Sequence, residues 1–302
     1  MSVETAGTGR TNPRVARASA VLWRRPWLRA SLTLSPALAW FVVIYLAALA
    51  VMLITAFWTV NPFTNHLEHT WTLENIRQVF TPTYERIIVR TITMAAAVTV
   101  TDAVIAFPFA YYMARLATRR VRNLLFMAVL LPLWASYLAR IYAWIVILTK
   151  DGTLNWTFGH LGLPQPNIGY TTTAMWLVFS YIWLPFMIIP VYTALERIPD
   201  SYLEASGDLG ARESRTFRSV VLPLALPGLA AGSIFTFSLT LGDFITPLLI
   251  GGTNSSLIGN VIYNNTGSGN NLPFAAAMAL VPIVIMAVYL SLARWVGAFE
   301  AM

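Results

Sequence analysis

The chain is expected to fold as an all-α integral membrane protein with six transmembrane helices, and three observations carry that expectation. Charged residues make up only 11% of the 302 positions and hydrophobic ones 57%, with a mean hydropathy of +0.63. Soluble domains carry about 25% charged residues. The apolar residues fall in long runs, and a helix needs about 20 of them to cross a bilayer. The basic residues between the runs are unevenly distributed, dense in every second segment and sparse in the others.

In chain order, residues 1–30 carry Arg10, Arg14, Arg17, Arg24, Arg25 and Arg29 against Glu4, a composition that predicts a flexible tail ahead of the membrane domain 31–302. No charge follows from Ala30 to Leu67, and Leu32 to about Trp58 is the first span. A cleaved leader ending at Ala48-Leu49-Ala50 competes with this reading, but the apolar run continues past it to Phe57. Asn61 to Arg86 is a polar loop. The second span, Ile88 to Ala114, holds Asp102 near its middle, and Arg115, Arg119, Arg120 and Arg122 follow in a tight turn. The third, Leu124 to Leu148, contains Arg140. Lys150 to Tyr170 is punctuated by Gly, Pro and Asn, with a short interfacial helix expected over Leu154–Leu161. Thr171 to Leu195 is the fourth span, Leu224 to Ile250 the fifth with Asp243 inside it, and Pro273 to Trp295 the sixth. Gly251 to Leu272 is uncharged, yet its Asn, Gly and Ser clusters predict a loop.

Basic residues set the orientation. With the amino terminus inside, fifteen lie on the inner side and four, Arg77, Arg86, Arg90 and Lys150, on the outer. Both termini are therefore expected in the cytoplasm. Several functions are excluded or disfavoured. Lys150 is the only lysine and no Gly-Lys-Ser/Thr surrounds it, so the chain has no Walker A loop of its own. Cysteine is absent, which removes disulfides, thiolate metal sites and cysteine nucleophiles. His66 and His69 have no third metal ligand nearby, and no metal, cofactor or nucleic-acid partner is expected.

One inner segment, about 196–222, is dense in charge of both signs. Asp200 to Asp208 suits a helix beginning near Pro199, with Asp200, Glu204 and Asp208 along one face. Gly210 suits a left-handed turn, and Arg212, Arg215 and Arg218 recur on a second short helix before Pro223 and Pro227. By charge pattern alone this could be a solvated hairpin between two spans. Its spacing is more particular: Glu204-Ala205-Ser206, then Gly210, then Val220 and Leu222-Pro223. That pattern resembles the "EAA" loop of binding-protein-dependent ABC importer permeases, with Ser206 in place of the usual Ala and Val220 in place of a frequent Ile. The resemblance implies a type I importer permease fold and a cytoplasmic coupling helix that docks on an ATPase subunit. Glu204, Ala205, Ser206, Gly210, Leu222 and Pro223 would form the coupling site.

Each charge inside a span costs about 2.5–3.5 kcal/mol on insertion scales. Asp102, Arg140 and Asp243 therefore need partners or roles. Asp243 lies about 24 Å along the helix from Pro227, and Arg140 also lies in an outer half, so an ion pair between them is possible. The segments around them, Leu131–Asn155 and Ser238–Ile262, contain Arg140-Ile141-Tyr142-Ala143-Trp144, then Gly242-Asp243-Phe244, Gly251-Gly252 and Ile258-Gly259-Asn260. Both resemble permease subunits of spermidine/putrescine-type importers. A path for polyamines needs carboxylates and aromatic faces for ammonium groups, and Asp243, Phe244, Tyr142 and Trp144, with Arg140 beside them, are the candidates.

The resemblance implies a non-catalytic subunit of a bacterial plasma membrane importer. It would work with an ATPase dimer, a second identical or paralogous permease, an external solute-binding protein and the surrounding lipid. Permeases for opines, metal anions and other small solutes share such loops. An ion-driven secondary transporter is a further alternative, disfavoured by the lack of internal repeats and the presence of only two intramembrane acids. A membrane enzyme using those two acids lacks any nucleophile or metal motif.

Overall fold

The computed structural model describes residues 26–61, 63–267 and 269–295. The arginine-rich segment 1–25, and with it most of the expected tail, lies outside the described residues. Helix α1, Pro26–Thr55, belongs to a first compact unit that ends at Ile54. It is strongly apolar, and Leu38, Trp40, Phe41 and Val43 are among its exposed side chains.

The remaining chain forms one helical unit beginning at Thr55. A two-stranded antiparallel hairpin, β1 Thr59–Val60 and β2 Leu67–Glu68, precedes the short helix α2, Glu74–Val79. The sequence predicts only a loop here. Buried Asn75 ties the two pieces together by donating to the carbonyls of Ala56 and Trp58, at 3.0 and 2.8 Å. The long helices then follow: α3 Pro82–Tyr111, α4 Arg119–Trp134, α5 Tyr137–Leu148, α6 Thr153–His160 and α7 Thr172–Glu196. After them come α8 Asp200–Asp208, α9 Glu213–Thr216, α10 Leu222–Gly242, α11 Ile245–Ile250, α12 Ile258–Thr266 and α13 Leu272–Trp295. Among the described residues, five helical stretches are long and apolar enough to cross a membrane, and a sixth span is made if the bent pair α4 and α5–α6 counts as one.

The centre of the unit is the trio α3, α7 and α10, which pack against one another. Their closeness depends on small residues. A Cβ on Gly228 would lie 2.5 Å from the Ala194 Cβ and 2.7 Å from the Pro190 carbonyl oxygen, and one on Gly232 would strike Met187. Gly228-Leu229-Ala230-Ala231-Gly232 is thus a small-residue stripe that lets α10 lie on α7. Hydroxyls and one indole add cross-links in the apolar interior: Trp176 Nε1 donates to Thr101 Oγ1 at 3.1 Å and Thr236 Oγ1 to Thr99 Oγ1 at 3.3 Å. Asp102 is fully buried in α3 beside Ser180 of α7, and neither carboxylate oxygen has a hydrogen-bond partner among the described residues.

Five further sequence expectations need correction. The third span is not one helix: the chain turns by 96° at Ala135 and Ser136, where both residues are extended just after Pro132. The fifth span ends at Gly242 rather than running to Ile250. The second short helix of the charged segment does not stop before the membrane. It passes from α9 through a π turn, Phe217–Val221, directly into α10. That wide turn sits just ahead of Pro223, whose ring cannot donate to the carbonyl four residues back. Finally, 251–272 contains α12, whose helix-starting polar residues look like loop residues in the sequence. Pro199 caps α8 rather than entering its first turn.

Candidate functional site

Two constellations carry the polar chemistry, one at the end of the bundle that holds the 200–216 hairpin and one where two helices are broken.

In the first, α8 spans Asp200–Asp208, as its acidic spacing predicts. It is closed by a Schellman turn. Gly210 takes φ +76°, the Gly210 N–H donates to the Gly207 carbonyl at 2.8 Å, and the Ala211 N–H donates to the Ser206 carbonyl at 3.1 Å. The chain then reverses into α9, and the hydroxyls of Ser206 and Thr216 meet at 2.8 Å across the reversal. Serine in the usual alanine position thus pins the hairpin shut. Leu203 and Phe217 turn inward, and Phe217 lies edge-on to Phe107 and Tyr111 of α3, at 5.6 and 5.9 Å. The outer face keeps Glu204, Ala205, Asp208, Leu209 and Gly210 exposed, Leu209 at 89%. Leu222 is half-buried and Pro223 exposed at the start of α10.

The sequence reading missed what holds this hairpin. Arg115, counted there only as an inner-side charge, lies on the π turn Tyr112–Leu116 that ends α3. Its guanidinium donates to the carbonyls of Leu195 and Ile198, at 2.8 and 2.6 Å, and to Asp200 Oδ1 at 2.7 Å. Next to it, Arg122 donates to the Met113 carbonyl at 3.1 Å and lies 3.7 Å from Glu196, which also accepts from Tyr192. The available signal is opposite charge at adjoining ends of two spans.

The second constellation joins the broken helices. Asp243 follows the last residue of α10, and its Oδ1 accepts from the backbone N–H groups of Ile245 and Thr246, at 2.7 and 3.2 Å. Its Oδ2 accepts from Thr246 Oγ1 at 3.0 Å and from the hydroxyl of Tyr137. The carboxylate therefore caps α11 and ties it to the first residue of α5, beyond the other break. Arg140 does not pair with it. Its guanidinium lies over the Tyr137 ring, 5.9 Å from the centroid, and its Nε and Nη1 are buried without acceptors among the described residues. Tyr137 in turn stacks on Trp183 at 5.9 Å.

Ile258-Gly259-Asn260 folds back onto the same break. Asn260 accepts from the Leu257 N–H at 3.0 Å, starting α12, and donates to the carbonyl of Phe244 at 2.8 Å. Gly259 is needed for the approach, because a Cβ there would meet the Asp243 carbonyl oxygen at 2.7 Å. The Ile258 N–H donates to Thr91 Oγ1 of α3 at 3.1 Å. Two motifs with 13 residues of chain between them are thus one structure. Of the aromatic candidates, Phe244 stacks on Tyr263 at 4.7 Å, Trp144 lies edge-on to Tyr181 at 5.5 Å, and Tyr142 is exposed on α5. His69, raised with His66 as a metal pair, packs on Trp58 at 4.2 Å, and no cluster of three metal-ligating side chains exists among the described residues.

Residues 106–299 match the family described as the binding-protein-dependent transport system inner membrane component. The chain is 47% identical to the inner membrane ABC transporter permease protein YdcU of Escherichia coli, over 97% of each chain. It is 34% identical to the spermidine/putrescine transport system permease protein PotB of Haemophilus influenzae, over 72% of this chain and 76% of that one. Among solved structures it resembles a chain of a bacterial ABC transporter involved in the import of the acidic polysaccharide alginate. That likeness has a TM-score of 0.72 at 19% identity, over 92% of this chain and 98% of the other. A chain of the MetNI methionine ABC transporter matches with a TM-score of 0.54 at 20% identity, over 72% and 95%. At these identities the solved structures speak for the fold.

Proposed function

This chain belongs to the family of binding-protein-dependent transport system inner membrane components, and from that premise we propose that it is the polyamine-conducting permease subunit of an ATP-driven importer. It spans the inner membrane of a bacterium several times with both termini in the cytoplasm. A second permease, identical or paralogous, completes the path, an ATPase dimer supplies the energy, and an external binding protein delivers the cargo.

The observation that carries this reading is the closed hairpin at 200–216. It presents Glu204, Ala205, Leu209 and Gly210 outward on a backbone fixed by the Gly210 turn and the Ser206–Thr216 bond. An apolar knob beside carboxylates is the chemistry of a docking element for a groove with basic edges. Ser206 fixes the shape of that element, and Leu222 and Pro223 connect it to α10. Cargo class follows from the relatives named for spermidine and putrescine. On the cargo side, the aromatic faces of Phe244, Tyr142 and Trp144 attract ammonium groups. Asp243 supplies negative charge from within its ring of donors, and Arg140 sets the positive edge of the path.

The test is reconstitution of the permease pair, ATPase and cognate binding protein in proteoliposomes. Spermidine or putrescine should stimulate ATP hydrolysis and accumulate inside. Stimulation by another solute with none from polyamines would overturn the cargo assignment while leaving the coupling role intact.

A further inference from the structure

We propose that Arg115 is the positioning residue of the coupling hairpin, a strut that makes α8 an extension of α3 and α7 rather than a loose loop. This rests on the reading of 200–216 as the ATPase-docking element.

A coupling element transmits force only if it is stiffer than the joint beyond it. The link from α7 to α8 is short, Arg197 to Pro199, with extended backbone at Pro199. Left alone it would bend. Arg115 spans that link with one planar group: one bond goes to the Leu195 carbonyl in the last turn of α7, one to the Ile198 carbonyl within the link, and one to the first carboxylate of α8, Asp200. The fork geometry of a guanidinium suits three acceptors fixed in space, whereas an ammonium on a flexible stem does not. The anchor is itself sheltered, since the Arg115 side chain is 11% exposed while Asp200 is 83% exposed. Arg115 also stands on the π turn ending α3, and Phe217, on the π turn leading to α10, packs on Tyr111 just before it. A displacement of α8 is thus delivered to α3 and α7 together. Asp200 is consequently an internal partner, and docking is left to the exposed positions beyond it.

The experiment compares Arg115→Lys and Asp200→Asn in the complete reconstituted transporter. Co-purification of the ATPase, binding-protein-stimulated ATP hydrolysis and cargo moved per ATP are measured together. The expected result is normal ATPase stoichiometry with cargo moved per ATP reduced fivefold or more in Arg115→Lys, and a smaller loss in Asp200→Asn, which keeps the two carbonyl bonds. A loss of fold would lower the amount of complex and not this ratio. If Arg115→Lys fails to assemble, the ratio in Asp200→Asn decides alone. An unchanged ratio in the assembled variants overturns the strut. Loss of ATPase binding only in Glu204→Lys, with the ratio unchanged in Arg115→Lys, would keep the docking reading and sink this one. Normal ATPase binding in Glu204→Lys would sink the docking reading itself.

Discussion

The hydroxyl of Tyr137 donates to the carboxylate of Asp243, joining α5 and α11 at the points where the third and fifth spans are broken. Asp243 accepts four hydrogen bonds in all, and two of them cap α11. Loss of a helix cap typically costs about 1 kcal/mol, and an orphaned buried donor about 1–3 kcal/mol more. Asp243→Ala should therefore lower the thermal midpoint of the purified complex by several degrees, and Tyr137→Phe by less, because the cap survives. Arg140→Gln combined with Asp243→Asn should bring no recovery over Asp243→Asn, since Arg140 rests on the Tyr137 ring. Recovery by the double variant would mean that a direct ion pair forms in the membrane.

The contact between α7 and α10 makes a second prediction. A methyl group on Gly228 would overlap Ala194 and the Pro190 carbonyl. Overpacking of this kind costs about 1–3 kcal/mol. Gly228→Ala should reduce the amount of folded protein extracted from membranes, and Ala194→Gly in the same chain should restore it only in part, because the Pro190 backbone remains in the way. Full accumulation of Gly228→Val, read by size-exclusion profile, would show that the two helices are free to separate.

Topology provides a third. The chain has no cysteine, so single cysteines introduced at Arg119, Arg212, Thr70 and Thr253 can be labelled without background. An impermeant reagent added outside should reach the last two and not the first two. Labelling of Arg212→Cys from outside would remove 200–216 from contact with any cytoplasmic ATPase.

Much of this was legible in the sequence because the membrane simplifies the problem. Long uncharged runs mark spans, and α7, α13 and α8 lie within a residue or two of where the apolar and acidic patterns put them. The helix breaks were not legible. A run that stays apolar through Trp134-Ala135-Ser136 gives no hint of a 96° turn, and Asp243 in an apolar stretch reads as a charge inside a helix, not as a cap between two. Asn260 was misread for a related reason. In water an Asn-rich segment signals a loop, but here the amide is buried and satisfied by the Leu257 N–H and the Phe244 carbonyl. Arg115 and Asp200 are 85 residues apart, and only the packing of α3 against α7 brings them together.

The central claim is that the outward face of the 200–216 hairpin touches an ATPase. It is tested most directly by placing a single cysteine at Ala205, which is exposed beside Glu204 and Leu209, and treating membranes containing the whole transporter with a short bifunctional reagent. We expect a cross-linked product containing this chain and the ATPase subunit. The yield should change on adding ATP with cargo-loaded binding protein, and should fall at least tenfold when Gly210→Val removes the φ +76° turn. A cysteine at Ala205 that never captures the ATPase, in a transporter that still hydrolyses ATP and imports cargo, would contradict the account.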